Sequence, residues 1–306
     1  MPLAKVGDVR LYYELDGKGD DLLLIHGVTG YLDAWKYVRQ PLARDFRVIL
    51  PDLRGHGRSD KPNLRYSVEM FAQDLVGLLD ALHIDQCIVA GHSLGGFIAQ
   101  QMAVDAPGRV RGLILICTAP KVDGEAARAQ VHLIKALYGL PPEQAVQKKM
   151  KIEFVNPQKI RATPGMMELL LADETQRQAN QNVHGWALGA AACFNIEERL
   201  REIRAPTLVI QGAQDATFPP RWGKYYTEHI PNAVLRLINK TSHSIQVDQP
   251  EALASTVTIA VQLAGIGIYR AVIQYKTRTR LARGITTSVP ATGKPVTVCI
   301  RRCSRV

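Results

Sequence analysis

Short, almost continuously apolar runs at residues 21–25, 46–50, 86–90 and 113–117 punctuate the first 120 residues, with helical patterns between them. Runs this short and this apolar read as strands of a sheet covered on both faces. Over 67–82, Val68, Phe71, Leu75, Leu78, Leu79 and Leu82 recur at three- and four-residue steps, the stripe of an amphipathic helix. A second helix is expected over 94–106. Such alternation predicts an α/β fold, a mostly parallel sheet flanked by helices and joined by right-handed crossovers. One more strand is expected at 9–15. The turn residues Asp16, Gly17, Lys18, Gly19 and Asp20 suit a hairpin-type connection from it to 21–25.

The rhythm stops at Ala119-Pro120. Residues 121–200 read as helical with proline breaks, and strands return at 206–212 and 233–238. About 80 residues exceed an ordinary crossover. The chain therefore divides into a first core part (1–120), a helical cap insertion (121–200), a second core part (201–264) closed by a helix from Glu251, and a tail (265–306). The simpler reading of 121–200 continues the helical layer of the core.

Gly91-His92-Ser93-Leu94-Gly95-Gly96 stands directly after one strand run and directly before a helical one. A serine in so tight a strand-to-helix turn is held in strained backbone angles. Small neighbours let strand and helix approach, and the hydroxyl is exposed at the helix N-terminus. A serine hydroxyl is a poor nucleophile without a base, and the base needs an orienting carboxylate. Among eight histidines, His243 lies in a polar loop past the strand at 233–238. Asp215 lies just past the strand at 206–212, with Asp123 and Asp248 as competing carboxylates. His26-Gly27-Val28-Thr29-Gly30 follows the strand at 21–25 and can aim the Val28 amide at the same point as the Leu94 amide. Two such N–H groups make an oxyanion hole, each worth ~3–4 kcal/mol in comparable sites.

With these features the chain resembles the α/β-hydrolase superfamily, in its branch of serine esterases and enol-lactonases. It is similar there to 3-oxoadipate enol-lactonases and pimeloyl-carrier-protein methyl esterases. The resemblance rests on His26-Gly27 with Trp35 downstream, on Asp52-Leu53-Arg54-Gly55-His56-Gly57-Arg58-Ser59-Asp60, on the serine turn, on 206–215 with Pro219-Pro220, and on Ser242-His243. It covers 9–264 and implies the order serine, aspartate, histidine along the chain. It also implies that His56 and Arg58 are structural. Relatives that open epoxides or displace halide carry aspartate where Ser93 stands. The expected activity is carboxylic ester hydrolysis through an acyl-enzyme. Lactone ring opening and a low-turnover ligand-sensing role are the alternatives. No cofactor or metal is called for.

Trp35, Met166, Trp186 and Phe194 are the candidate pocket residues, with Met167, Leu169 and Leu170 beside them. An apolar lining of this kind favours esters of short to medium chains.

The net charge of +10 looks like a signature of nucleic-acid binding until it is located. Nine of the 38 basic residues lie beyond Glu251, the last of 28 acidic ones. The first 251 residues therefore hold 29 basic against 28 acidic side chains, and this body gives no electrostatic reason to expect a polyanion. The basic tail reads as a disordered segment, a partner-binding arm or a non-native extension. Residues 252–269 carry no charge, yet their Ser, Thr, Gln and Gly content suits a packed last helix better than a membrane span. Met1 to Asp8 hold no apolar stretch like a signal peptide. Five scattered cysteines (Cys87, Cys117, Cys193, Cys299 and Cys303) fit a reducing compartment, so a cytoplasmic protein is expected. The expected partner is a small-molecule ester or lactone. No oligomeric state is implied.

Overall fold

A computed structural model of the chain describes residues 2–137 and 139–264. The expectations for 265–306 lie outside the described residues. An eight-stranded sheet has the order β1-β2-β4-β3-β5-β6-β7-β8. Its strands are β1 (Leu3–Val6), β2 (Val9–Asp16), β3 (Asp20–Ile25), β4 (Phe46–Pro51), β5 (Cys87–His92), β6 (Val110–Ile116), β7 (Thr207–Gly212) and β8 (Ala233–Ile238). β1 and β2 pair antiparallel, as do β2 and β4, and the remaining neighbours run parallel.

Apolar side chains alternate strictly between the two faces of the sheet, as the two-residue period of a strand requires. Leu23, Ile25, Ile49, Val89, Leu113, Leu115 and Val209 join one core with α2 (Val68–Ala81) and α3 (Leu94–Asp105). Leu22, Leu24, Val48, Leu50, Ile88, Ile114, Leu208 and Ile210 join the other. That second face is closed by α1 (Lys36–Leu42), through Val38 and Leu42, and by the helix from Pro250 to Ala264, through Leu253, Ala254 and Val257. Both faces being dry explains the unbroken apolar runs.

The turn at 16–20 is not a hairpin. β2 pairs with β4, and β4 lies between β2 and β3, with Leu15 and Leu23 both registered on Ile49. The turn therefore carries the chain across the entry to β4. A Cβ on Gly17 (φ +75°) would meet the Ala43 and Phe46 carbonyl oxygens at 2.2 and 2.4 Å. Turn-forming residues announce a reversal; they do not announce which strand becomes the neighbour.

β6 and β7 are sheet neighbours, yet among the described residues five α-helices separate them along the chain: α4 (Gly124–Leu137), α5 (Pro142–Glu153), α6 (Pro157–Ala162), α7 (Met166–Ala179) and α8 (Gln181–Cys193). Val146, Met150, Phe154, Ile160, Met166 and Leu170 form a small core of their own within them, to which Val247 is added. The ends of the segment meet. Lys121 and Asn195 form an isolated antiparallel bridge, and Ile196 N donates to the Pro120 carbonyl at 2.9 Å. After β7 come α9 (Arg221–His229), β8, the short α10 (Ile245–Asp248) and α11 (Pro250–Ala264). No helix among the described residues is long and apolar enough to cross a membrane.

Candidate active site

Ser93 sits between the last residue of β5 and the first of α3 with φ +54° and ψ −117°, a conformation that few non-glycine residues adopt. The surroundings leave it no relaxed alternative. Its N–H donates to the Ile116 carbonyl at 3.0 Å, and its own carbonyl accepts from Thr118 Oγ1 at 2.9 Å. A Cβ on Gly91 would stand 2.0 Å from the Gly95 carbonyl oxygen, and one on Gly95 would stand 2.2 Å from that of Ile25. The glycines on either side of the serine are thus a packing requirement of strand against helix.

Asp215 and His243 come to this turn from the ends of neighbouring parallel strands. Asp215 follows β7 and is only 3% exposed. Its Oδ1 accepts from the Thr217 and Phe218 amides, each at 2.9 Å, and its Oδ2 faces His243 Nδ1 at 3.0 Å. His243 Nε2 lies 3.0 Å from Ser93 Oγ. With Nδ1–H donated to the carboxylate, Nε2 is the ring nitrogen free to take the serine proton. Burial presses the imidazole toward the neutral form, but the charge and hydrogen bond of Asp215 outweigh it, and the net shift is upward.

The loop that carries His243 is tied down on several sides. Asp248 Oδ2 accepts from Ser242 N at 2.7 Å and from Ser242 Oγ at 2.6 Å. Asp248 therefore braces this loop. A Cβ on Gly212 would lie 2.3 Å from the Ser242 carbonyl oxygen. His92 Nε2 donates to the His243 carbonyl at 2.8 Å. Burial, and then the neighbouring His243, push His92 down to about 3, so it stays neutral with its proton on Nε2. Asp123, the competing carboxylate, is occupied elsewhere. It accepts from the Ala126 amide at the start of α4 and pairs with Arg221.

The turn after β3 lies against the serine: a Cβ on Gly27 would sit 3.5 Å from Ser93 Cβ. Among the described residues neither the Val28 nor the Leu94 N–H is spent on another partner. The Val28 carbonyl points away and accepts from His56 Nε2 at 2.8 Å and from His184 Nδ1 at 3.2 Å. Asp52 holds the two loops together, accepting from Leu32 N at 2.8 Å and from Arg58 N at 2.7 Å. Arg58 lies over the Tyr12 ring, 3.8 Å from its centroid. His56 and Arg58 thus belong to the scaffolding of the loop.

A cavity of ≈ 130 Å³ opens over Ser93 and His243. Leu169 and Leu170 line it, but the four candidate pocket residues do not. Trp35 is 1% exposed and packs edge-on to His92 within the core. Phe194 is stacked flat on Phe97 at 4.6 Å, within the main core. Met166 is consumed in the small core of the five-helix segment. On α8 it is His184 and Leu188, one turn apart, that face the cavity. Trp186, two residues on from His184, falls on another face and donates to Asn63 Oδ1 at 3.2 Å.

In their place the wall carries Lys149 and Glu153 from α5 and Asp173, Glu174 and Arg177 from α7. The larger part of the lining is apolar, as expected, with Leu133, Leu137, Phe154, Leu188 and Val247 beside the two leucines, and the charged groups stand among them. In sequence these charged residues look like the solvated face of ordinary amphipathic helices. The available signal was their three- and four-residue spacing, which puts the charges of each helix on one side.

The family model of the alpha/beta hydrolase fold matches residues 21–250. The chain belongs to the α/β-hydrolase family. As a hydrolase of this family it is 31% identical to 3-oxoadipate enol-lactonase 2 of Acinetobacter baylyi, over 80% of this chain and 90% of the relative. It is 29% identical to the Azorhizobium caulinodans protein named "Putative carbamate hydrolase RutD", over 82% and 94%. Among solved structures it is similar to Est816, described as an N-acyl homoserine lactone degrading enzyme. The TM-score is 0.72 and the identity 29%, covering 84% of this hydrolase and 99% of that chain.

Proposed function

We propose that this hydrolase cleaves carboxylic esters through a serine acyl-enzyme. The observation that carries the reading is the unbroken relay, Asp215 to His243 at 3.0 Å and His243 to Ser93 at 3.0 Å, whose last two members line the cavity. Ser93 Oγ attacks the ester carbonyl as His243 Nε2 takes its proton, and the amides of Val28 and Leu94 receive the oxyanion. The imidazolium then protonates the leaving alcohol. In the second half His243 activates water, which attacks the acyl-enzyme and releases the acid. Asp215 remains ionised, fixes the ring tautomer and stabilises the imidazolium. The segment 121–200 acts as a cap that encloses the acyl group against Ser93.

Ser93→Ala is expected to give a folded protein with no measurable turnover of p-nitrophenyl esters and no labelling by a fluorophosphonate. Retained turnover or labelling would move the nucleophile elsewhere.

Lactone opening by the same steps is the second reading. It is favoured by the enol-lactonase of Acinetobacter baylyi and by the homoserine-lactone-degrading Est816 among the similar proteins. In a lactone the leaving alcohol stays tethered to the acyl group. A panel of enol-lactones, acyl-lactones and linear esters of equal acyl size separates the two by kcat/KM. A ligand-sensing protein would bind members of this panel without multiple turnover.

A further inference from the structure

The charged wall facing Ser93 is poorly partnered, and its pairing says what it can receive. Arg177 and Glu174 satisfy each other in a fork, with Arg177 Nε donating to Glu174 Oε2 at 2.9 Å, and Gln178 adds a third donor to the same carboxylate. Lys149 Nζ is 3.6 Å from Glu153 Oε2, beyond hydrogen-bonding distance. Glu153 Oε2 is itself buried without a hydrogen-bond partner. Among the described residues Asp173 has no side-chain hydrogen bond either. One ammonium and two carboxyl groups thus line the cavity with unused hydrogen-bonding capacity.

Resting on the hydrolase reading above, we propose that this wall selects substrates whose acyl part carries an uncharged group able both to donate and to accept, above all a secondary amide. Its carbonyl would accept from Lys149 Nζ and its N–H would donate to Glu153 or Asp173. A carboxylate at that position would gain Lys149 but meet two carboxyl groups. An ammonium would meet Lys149. A plain alkyl chain would keep the apolar contacts of Phe154, Leu169 and Leu170 but would strip water from all three polar groups with no hydrogen bond in return, the arrangement by which sites built for hydrogen bonding reject apolar analogues. The charge states agree with this. Burial works against the Lys149 ammonium, but Glu153, Asp173 and Glu174 outweigh it and keep it protonated. Burial pushes Asp173 up to about 7 despite Lys149, so it too can hold a proton.

The test uses three ethyl esters of matched acyl size and shape: ethyl N-acetylglycinate, ethyl 4-methylpentanoate and monoethyl succinate. Turnover is followed by pH-stat, and each rate is divided by that ester's hydrolysis rate with hydroxide. The amide ester is expected to lead the alkyl ester in kcat/KM by ~10-fold or more, with the succinate poorest. In Lys149→Met combined with Glu153→Leu, the alkyl ester is expected to lead instead. An alkyl or succinate preference in the natural chain, or an amide preference that survives the double substitution, overturns the assignment. If either result comes with fluorophosphonate labelling of Ser93, the polar wall fails while the hydrolase reading stands. No labelling and no turnover of any of the three would remove both.

Discussion

At the scale of single residues, the proposed mechanism depends on which proton His243 holds. The base must be neutral to accept from Ser93. The Asp215 charge and hydrogen bond raise its pKa above the ordinary 6.5 against the downward press of burial. The acid limb of kcat/KM therefore lies above pH 6.5, and activity falls as pH drops through it. Asp215→Asn removes the charge that favours imidazolium and so moves that limb to lower pH. It also offers Nδ1 an amide that can favour the wrong tautomer, and kcat is expected to fall by ~10³–10⁴-fold. A pH–rate profile reads both effects. An unchanged limb would mean that another carboxylate sets the base.

At the scale of elements, the turn from β5 to α3 has almost no tolerance. Gly95→Ala places a methyl group 2.2 Å from the Ile25 carbonyl oxygen and 2.7 Å from that of His26, both rigid backbone. The helix must move off the sheet, and a loss of ~1–3 kcal/mol or more is expected in denaturant unfolding, together with reduced labelling of Ser93. The geometry of this turn was legible in the sequence because small residues on both sides of a serine, at a strand-to-helix junction, are what so sharp a turn needs sterically. The dry strands were legible for a similar reason, since a sheet covered on both faces demands unbroken apolar runs. The edge strand β1 was not, since four residues with only Ala4 and Val6 buried leave too short a pattern. The pocket was hardest to read. Its chemistry comes from which side of α5, α7 and α8 turns toward the cavity, and a charged helical face looks the same in sequence whether it meets bulk water or lines a cavity.

At the scale of the whole molecule, the charged wall carries a stability cost that pH exposes. Asp173 is held up at about 7 by burial, against a usual 3.8, so its protonated form is the one the fold prefers. Its contribution is fully present below the unfolded value near 4 and is lost as pH rises through 7. Asp173→Asn removes that loss. Its Tm is expected to exceed that of the natural chain at pH 8, with the gap closing toward pH 4. Equal melting curves at pH 8 would show that the carboxyl group ionises freely in the folded state. The meeting of the segment's ends, with Lys121 against Asn195 and Ile196 against Pro120, has a consequence of another kind. Five helices depart and come back through one doorway beside β6 and β7, so what hangs outside it can be traded for a segment of different length or chemistry, provided the newcomer again covers Val247 and again donates to the Val28 carbonyl as His184 does. A chimera spliced there should inherit its appetite from the donor and its reactivity from the host.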